Sequence, residues 1–189
     1  GNSDVGYFGG GFDGGSGVTT VDKVTYSSDT TAAVPGANLS IRRNNPGASG
    51  NSTDGYFMSG DYYPATSPSR YRTTVDKLTY STDTTAEVPG AAGSIGRFKL
   101  AATSPRANAL PPISPPTPTP SSTTSQTPGA PNTGYIMGGG TPSGRTSIVD
   151  KLTFATESVA RIPGANLPTT VQDAGAIGGL SAAYLAGGD

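Results

Sequence analysis

The sequence predicts an all-β repeat array of propeller type, and three observations predict it. Nearly the same wording occurs three times in 189 residues and begins a fourth time. Each copy contains stretches of strand length that alternate with period two and stop at turn residues. Glycine (28) and proline (17) are abundant, and no 3.6-residue apolar periodicity marks an amphipathic helix. A fixed period of this size is the signature of a repeat architecture.

The first copy reads Gly6-Tyr7-Phe8-Gly9-Gly10-Gly11, then Thr20 to Ala32 around Val21-Asp22-Lys23, then Val34-Pro35-Gly36-Ala37. The second carries Gly55-Tyr56-Phe57, Val75-Asp76-Lys77 and Val88-Pro89-Gly90-Ala91. The third carries Gly134-Tyr135-Ile136, Val149-Asp150-Lys151 and Ile162-Pro163-Gly164-Ala165, and a fourth starts at Ala183-Tyr184-Leu185. Tyr7 to Tyr56 and Tyr135 to Tyr184 are both 49 residues apart, whereas Tyr56 to Tyr135 is 79. The second copy therefore holds an insertion of about thirty residues.

Within a copy, Tyr7-Phe8 among glycines reads as a short strand ending in a turn. Asp22, Val24 and Tyr26 then share one face of a second strand, and Val21, Lys23 and Thr25 share the other. Ser27-Ser28-Asp29-Thr30 is turn chemistry, because Ser and Asp side chains accept hydrogen bonds from nearby backbone amides. Thr31 to Val34 returns as the partner strand of a hairpin and stops at Pro35-Gly36. A last strand leads through Ala48-Ser49-Gly50-Asn51 into the next Gly-Tyr-Phe. Four short strands per period amount to one propeller blade.

The expected organisation is repeat 1 at 1–54 and repeat 2 at 55–103 with an enlarged loop at 61–72. A Pro/Ser/Thr-rich loop at 104–133 follows, then repeat 3 at 134–182 and the start of repeat 4 at 183–189. Proline removes backbone donors and favours extended polyproline geometry, so the run around Pro111 to Pro120 does not enter a sheet. Tracts of this composition are candidates for O-glycosylation in surface proteins. The chain begins within a repeat, without the basic and apolar pattern of a signal peptide. Both ends are expected to be cuts through a longer array, with open strand edges that invite pairing.

Composition excludes several function classes. Net charge is −1, with 12 basic and 13 acidic residues spread along the chain. Nucleic-acid binding needs clustered Lys and Arg, so none is expected. No apolar stretch approaches the ~20 residues of a membrane-spanning helix. Cys and His are absent, which removes thiolate and imidazole metal sites and the common nucleophilic triads. The glycine clusters lack the Lys and the strand-to-helix context of a phosphate loop. No enzymatic activity and no cofactor are expected.

The wording of the copies is similar to the kelch repeat. The carrying residues are a glycine pair after an aromatic-apolar strand, the Val-Asp-Lys strand with an aromatic three positions after its Asp-Lys start, and the turn that follows. Kelch units of about 50 residues are four-stranded propeller blades, although the Trp typical of those blades is missing here. Gly-Tyr-Phe-Gly-Gly-Gly, Thr-Val-Asp-Lys-Val-Thr-Tyr-Ser and Ala-Ser-Gly-Asn resemble kelch-like arrays in structural proteins of phages infecting cyanobacteria. Related arrays occur in surface proteins of aquatic bacteria. The resemblance implies about 3.5 repeats of a kelch-like array in a virion or at a cell surface.

Two sets of side chains are candidate sites. Asp22-Lys23, Asp76-Lys77 and Asp150-Lys151 form the charge pattern present in every full copy. They read as repeated structural positions, since a catalytic residue is expected once; the alternative is a ring of carboxylates for a cation. Tyr62, Tyr63, Arg70, Tyr71 and Arg72 gather in the loop that breaks the repeat. Aromatic faces and guanidinium forks suit sugar rings and carboxylates, so this loop is the candidate ligand-binding site; a contact between subunits or blades is the alternative. Expected partners are other copies of the chain, other virion or surface proteins, and glycans.

Overall fold

The computed structural model describes residues 1–62, 70–104, 132–178 and 182–189. Tyr63 and residues 105–131 of the Pro/Ser/Thr-rich loop lie outside the described residues. The chain is all-β and forms small antiparallel sheets. The first contains β1 (Val5–Gly9), β2 (Val21–Thr25) and β3 (Thr30–Ala33). The second runs in order through β4 (Gly47–Gly50), β5 (Asp54–Met58), β6 (Val75–Thr79) and β7 (Thr84–Glu87). The third begins with β8 (Ala101–Thr103) and β9 (Thr133–Met137). A two-stranded hairpin, β10 (Gly140–Thr141) with β11 (Gly144–Arg145), precedes its remaining strands, β12 (Val149–Thr153) and β13 (Ser158–Arg161). Last, β14 (Ala174–Gly178) pairs with β15 (Ala183–Gly187).

The hairpins follow from their turns. Asp29, Asp83 and Glu157 close the equivalent turns at φ of 51, 53 and 48°, a left-handed conformation that short polar side chains tolerate best. Each hairpin then meets a single-turn 3-10 helix at Pro35–Ala37, Pro89–Ala91 or Pro163–Ala165. There the fixed φ of proline suits a helical first position and ends the strand.

The sheets are offset from the sequence repeat. The closing strand of each period, β4 or β8, joins the sheet of the following period and pairs with its Gly-Tyr-Phe or Gly-Tyr-Ile strand. These strands are built from small residues, Gly47-Ala48-Ser49-Gly50 and Ala101-Ala102-Thr103, and they let neighbouring sheets approach closely. A Cβ on Gly47 would stand 2.8 Å from Leu100 Cδ1, and one on Gly178 would stand 2.0 Å from the Ser104 carbonyl oxygen. The opposite edge strands, β3, β7 and β13, are largely exposed.

Apolar side chains fill the spaces between sheets in two equivalent clusters. Val21, Ala37 and Leu39 meet Phe57, Leu78 and Tyr80 between the first and second sheets. Tyr56, Met58, Val75 and Ala91 meet Ile136, Leu152 and Phe154 between the second and third. Face-to-face packing of half-buried sheets is what the period-two alternation demands.

Candidate functional site

The repeated Asp positions of the second and third sheets each receive an arginine from the preceding repeat. Arg43 stands eight residues past Pro35, and Arg97 eight past Pro89. Arg43 Nη2 donates to Asp76 Oδ2 at 2.7 Å, while Nη1 donates to the Thr74 and Ser59 carbonyls at 3.1 and 3.2 Å. Arg97 repeats this with Asp150 Oδ2 at 2.5 Å and the Gly138 and Ile148 carbonyls, both at 3.1 Å. All four charged side chains are 0% exposed. Asp76 also accepts the Ser40 amide, and Asp150 accepts the Ser94 amide and hydroxyl. Burial lowers both guanidinium pKa values, opposed by the partner carboxylates.

A second ionic rung uses the repeated lysines. Lys23 Nζ lies 2.6 Å from Asp83 Oδ2, and Lys77 pairs with Glu157. The acceptors are the turn acids of the next sheet. The Tyr7 hydroxyl also donates to Asp83. Burial pushes the Asp83 carboxyl up, but the hydrogen bonds from Lys23 and Tyr7 outweigh it and hold the pKa below its ordinary value. The hydrogen bond to Glu157 raises the Lys77 pKa. Aromatic rings complete the joint: Tyr7 stacks on Tyr80 at 5.2 Å and Tyr56 on Phe154 at 5.1 Å.

Every rung has the same direction. Repeat n contributes Tyr, Lys and Arg; repeat n+1 contributes an aromatic ring, a turn acid and the Asp of Val-Asp-Lys. Asp22 and Lys151, the remaining members of the repeated set, have no ion-pair partner among the described residues. Asp22 is exposed and Lys151 is half-buried. Spacing within one copy could not reveal the Arg–Asp rung, because its partners belong to different repeats. Comparing offsets from the Pro-Gly turns would have found it.

The enlarged loop brings Tyr62, Arg70, Tyr71 and Arg72 together. Arg70 grips the buried Asp61 through two parallel bonds, Nε to Oδ1 at 2.7 Å and Nη2 to Oδ2 at 2.6 Å. Its guanidinium also lies 5.7 Å from the Tyr71 ring, which packs against Phe98. The Arg72 guanidinium covers the Tyr62 ring at 4.7 Å and makes no ion pair among the described residues. A ligand carboxylate would compete with Asp61 for Arg70, whereas Arg72 remains available. Tyr63 lies outside the described residues.

A cavity of about 310 Å³ opens among the sheets, lined in part by Tyr7, Ser49, Tyr56, Tyr80, Thr103 and Ile177. The buried Tyr80 hydroxyl on its wall has no hydrogen-bond partner among the described residues. Among the described residues, no three acidic side chains converge as a metal site, and no helix is long and apolar enough to cross a membrane. No protein-family model and no curated protein matches this chain.

Proposed function

We propose that this chain is part of a kelch-like, propeller-type array with a structural and adhesive role and no catalysis. Its place is a virion appendage or fibre of a phage, where it contacts host surface glycans or neighbouring subunits. The observation that carries this reading is the repeated joint between sheets, with an Arg–Asp pair, a Lys–acid pair and an aromatic stack at both interfaces. Such joints build a rigid, extendable scaffold in which stability comes mainly from neighbours. Loops held by this scaffold recur along an array or an oligomer, so weak contacts add through avidity. Arg72 over Tyr62 is the group suited to a glycan, since a planar cation beside an aromatic face meets both the polar edge and the apolar face of a sugar.

The same ladder supports a second reading, a bacterial surface or matrix filament protein, because a one-directional interface also drives assembly. Mass spectrometry of purified virions and of envelopes from uninfected cells separates the two. Recovery of the chain only from virions is expected; recovery from uninfected envelopes overturns the phage assignment. A glycan array then tests adhesion: binding by the wild type that Arg72→Ala abolishes is expected. Equal signals from the two proteins, or none from either, remove the loop as a sugar site.

A further inference from the structure

The three Val-Asp-Lys hairpins are equivalent in sequence, yet the first differs in what covers it. Asp76 and Asp150 are 0% exposed, and Tyr80 and Phe154 are 8% and 5% exposed. On the first sheet the corresponding face is open: Asp22 is exposed, Tyr26 is 49% exposed and Phe8 is 67% exposed. The second and third sheets are covered by the Arg, Lys and Tyr of the preceding repeat. The first sheet presents the whole matching acceptor set, Asp22, Asp29 and Tyr26, and no donor reaches it among the described residues.

We infer that the Asp22 face of the first sheet is a docking surface for a further unit of the same repeat type, one carrying Arg eight residues past its Pro-Gly proline. A second copy of this chain does not qualify. In the third repeat that position is Val171, and its backbone makes the equivalent contact. Gly139 N donates to the Val171 carbonyl at 2.7 Å, as Gly11 N does to Arg43 at 2.9 Å and Gly60 N does to Arg97 at 2.7 Å. The side chain there is apolar, so docking the third repeat on the first sheet would bury Asp22 without a counter-charge, which is strongly unfavourable. Arg43 and Arg97 are already engaged within the chain. The open apolar surface around Phe8 and Tyr26 supplies the burial, and the Arg supplies the match.

The test adds a unit to the full chain. Gly1-Asn2-Ser3 repeats Gly50-Asn51-Ser52, so a copy of residues 1–49 placed ahead of Gly1 continues the array in phase. The added copy carries Tyr26→Phe, which gives its peptides a distinct mass. Hydroxyl-radical footprinting then reads Tyr26 of the original chain. With the added Arg43 present, Tyr26 labelling is expected to drop to the level of Tyr80; with Arg43→Val in the added copy, the protection is lost. Charge exchange, Arg43→Asp in the added copy with Asp22→Arg in the original, restores protection that either change alone removes. This rescue separates pairing from simple misfolding. Protection regardless of residue 43, or no protection with Arg present, overturns the inference. Sedimentation of the unmodified chain tests the second clause: self-association that Asp22→Ala abolishes would show that a second copy does bind this face.

Discussion

Replacing Arg43 by Met is expected to cost about 3–5 kcal/mol, because it leaves the Asp76 carboxylate buried and without its counter-charge. The structure shows why relaxation does not rescue it. Asp76 is 0% exposed, and apart from Arg43 its hydrogen-bond donor is the Ser40 amide at 3.2 Å. Oδ1 already lacks a partner among the described residues. Met also abandons the Ser59 and Thr74 carbonyls that Nη1 serves. Asp76→Leu alone should cost a similar amount by stranding the guanidinium. The double variant Arg43→Met/Asp76→Leu removes both charges and retains the losses at the carbonyls, the Thr74 hydroxyl and the Ser40 amide, about 1–3 kcal/mol.

The double variant should therefore be more stable than either single variant. Equilibrium urea unfolding measures this, followed by tyrosine emission, since the chain has nine Tyr and no Trp. Because repeat arrays are stabilised through their interfaces, each single variant should also show an early transition as the first sheet separates from the second. A single-variant cost under about 1 kcal/mol would rule out a buried pair, because it would mean that the charges are solvated. So would a double-variant cost equal to the sum of the two singles, which would mean that the charges do not interact.

Three further outcomes follow from particular contacts. Asp83 has a lowered carboxyl pKa in the fold, so its pairing stabilises fully above the unfolded value of about 4 and is lost as pH falls through the folded value. Melting temperature measured down the acid range should fall less steeply for Asp83→Asn than for the wild type; parallel curves would refute this. Tyr80→Phe removes a buried hydroxyl that has no partner among the described residues and should leave the melting temperature unchanged or higher, while a clear drop would reveal a bond to that hydroxyl. Gly55→Val should destabilise by about 1–3 kcal/mol through overpacking, because a Cβ there stands 3.0 Å from the Tyr80 hydroxyl and 3.1 Å from its ring. An unchanged denaturation midpoint would show that the ring moves freely.

What the sequence determined by itself is local. The period-two alternation of Val21 to Tyr26 placed Asp22, Val24 and Tyr26 on one face, and the Ser-Ser-Asp turn and Pro35 bounded the hairpin. The recurrence of an aromatic residue at Tyr26, Tyr80 and Phe154 was legible, but not which of them are covered: Tyr80 and Phe154 are buried between sheets, whereas Tyr26 is 49% exposed. The enlarged loop was visible as a break in the repeat, although its Asp61–Arg70 pair was not, since the two residues stand nine positions apart with no period to link them. Only the tertiary structure decided that β4 and β8 cross into the next sheet, and that the repeated Asp takes an Arg rather than its neighbouring Lys. Strand alternation is dictated by neighbours along one backbone. The space between two sheets is filled by side chains from separate repeats, and no local pattern records which of them meet. The third repeat hides the rule further, since Val171 stands where the first two have Arg43 and Arg97; the Arg–Asp pair is the fully buried inter-sheet rung, while the repeated Lys makes the half-exposed one.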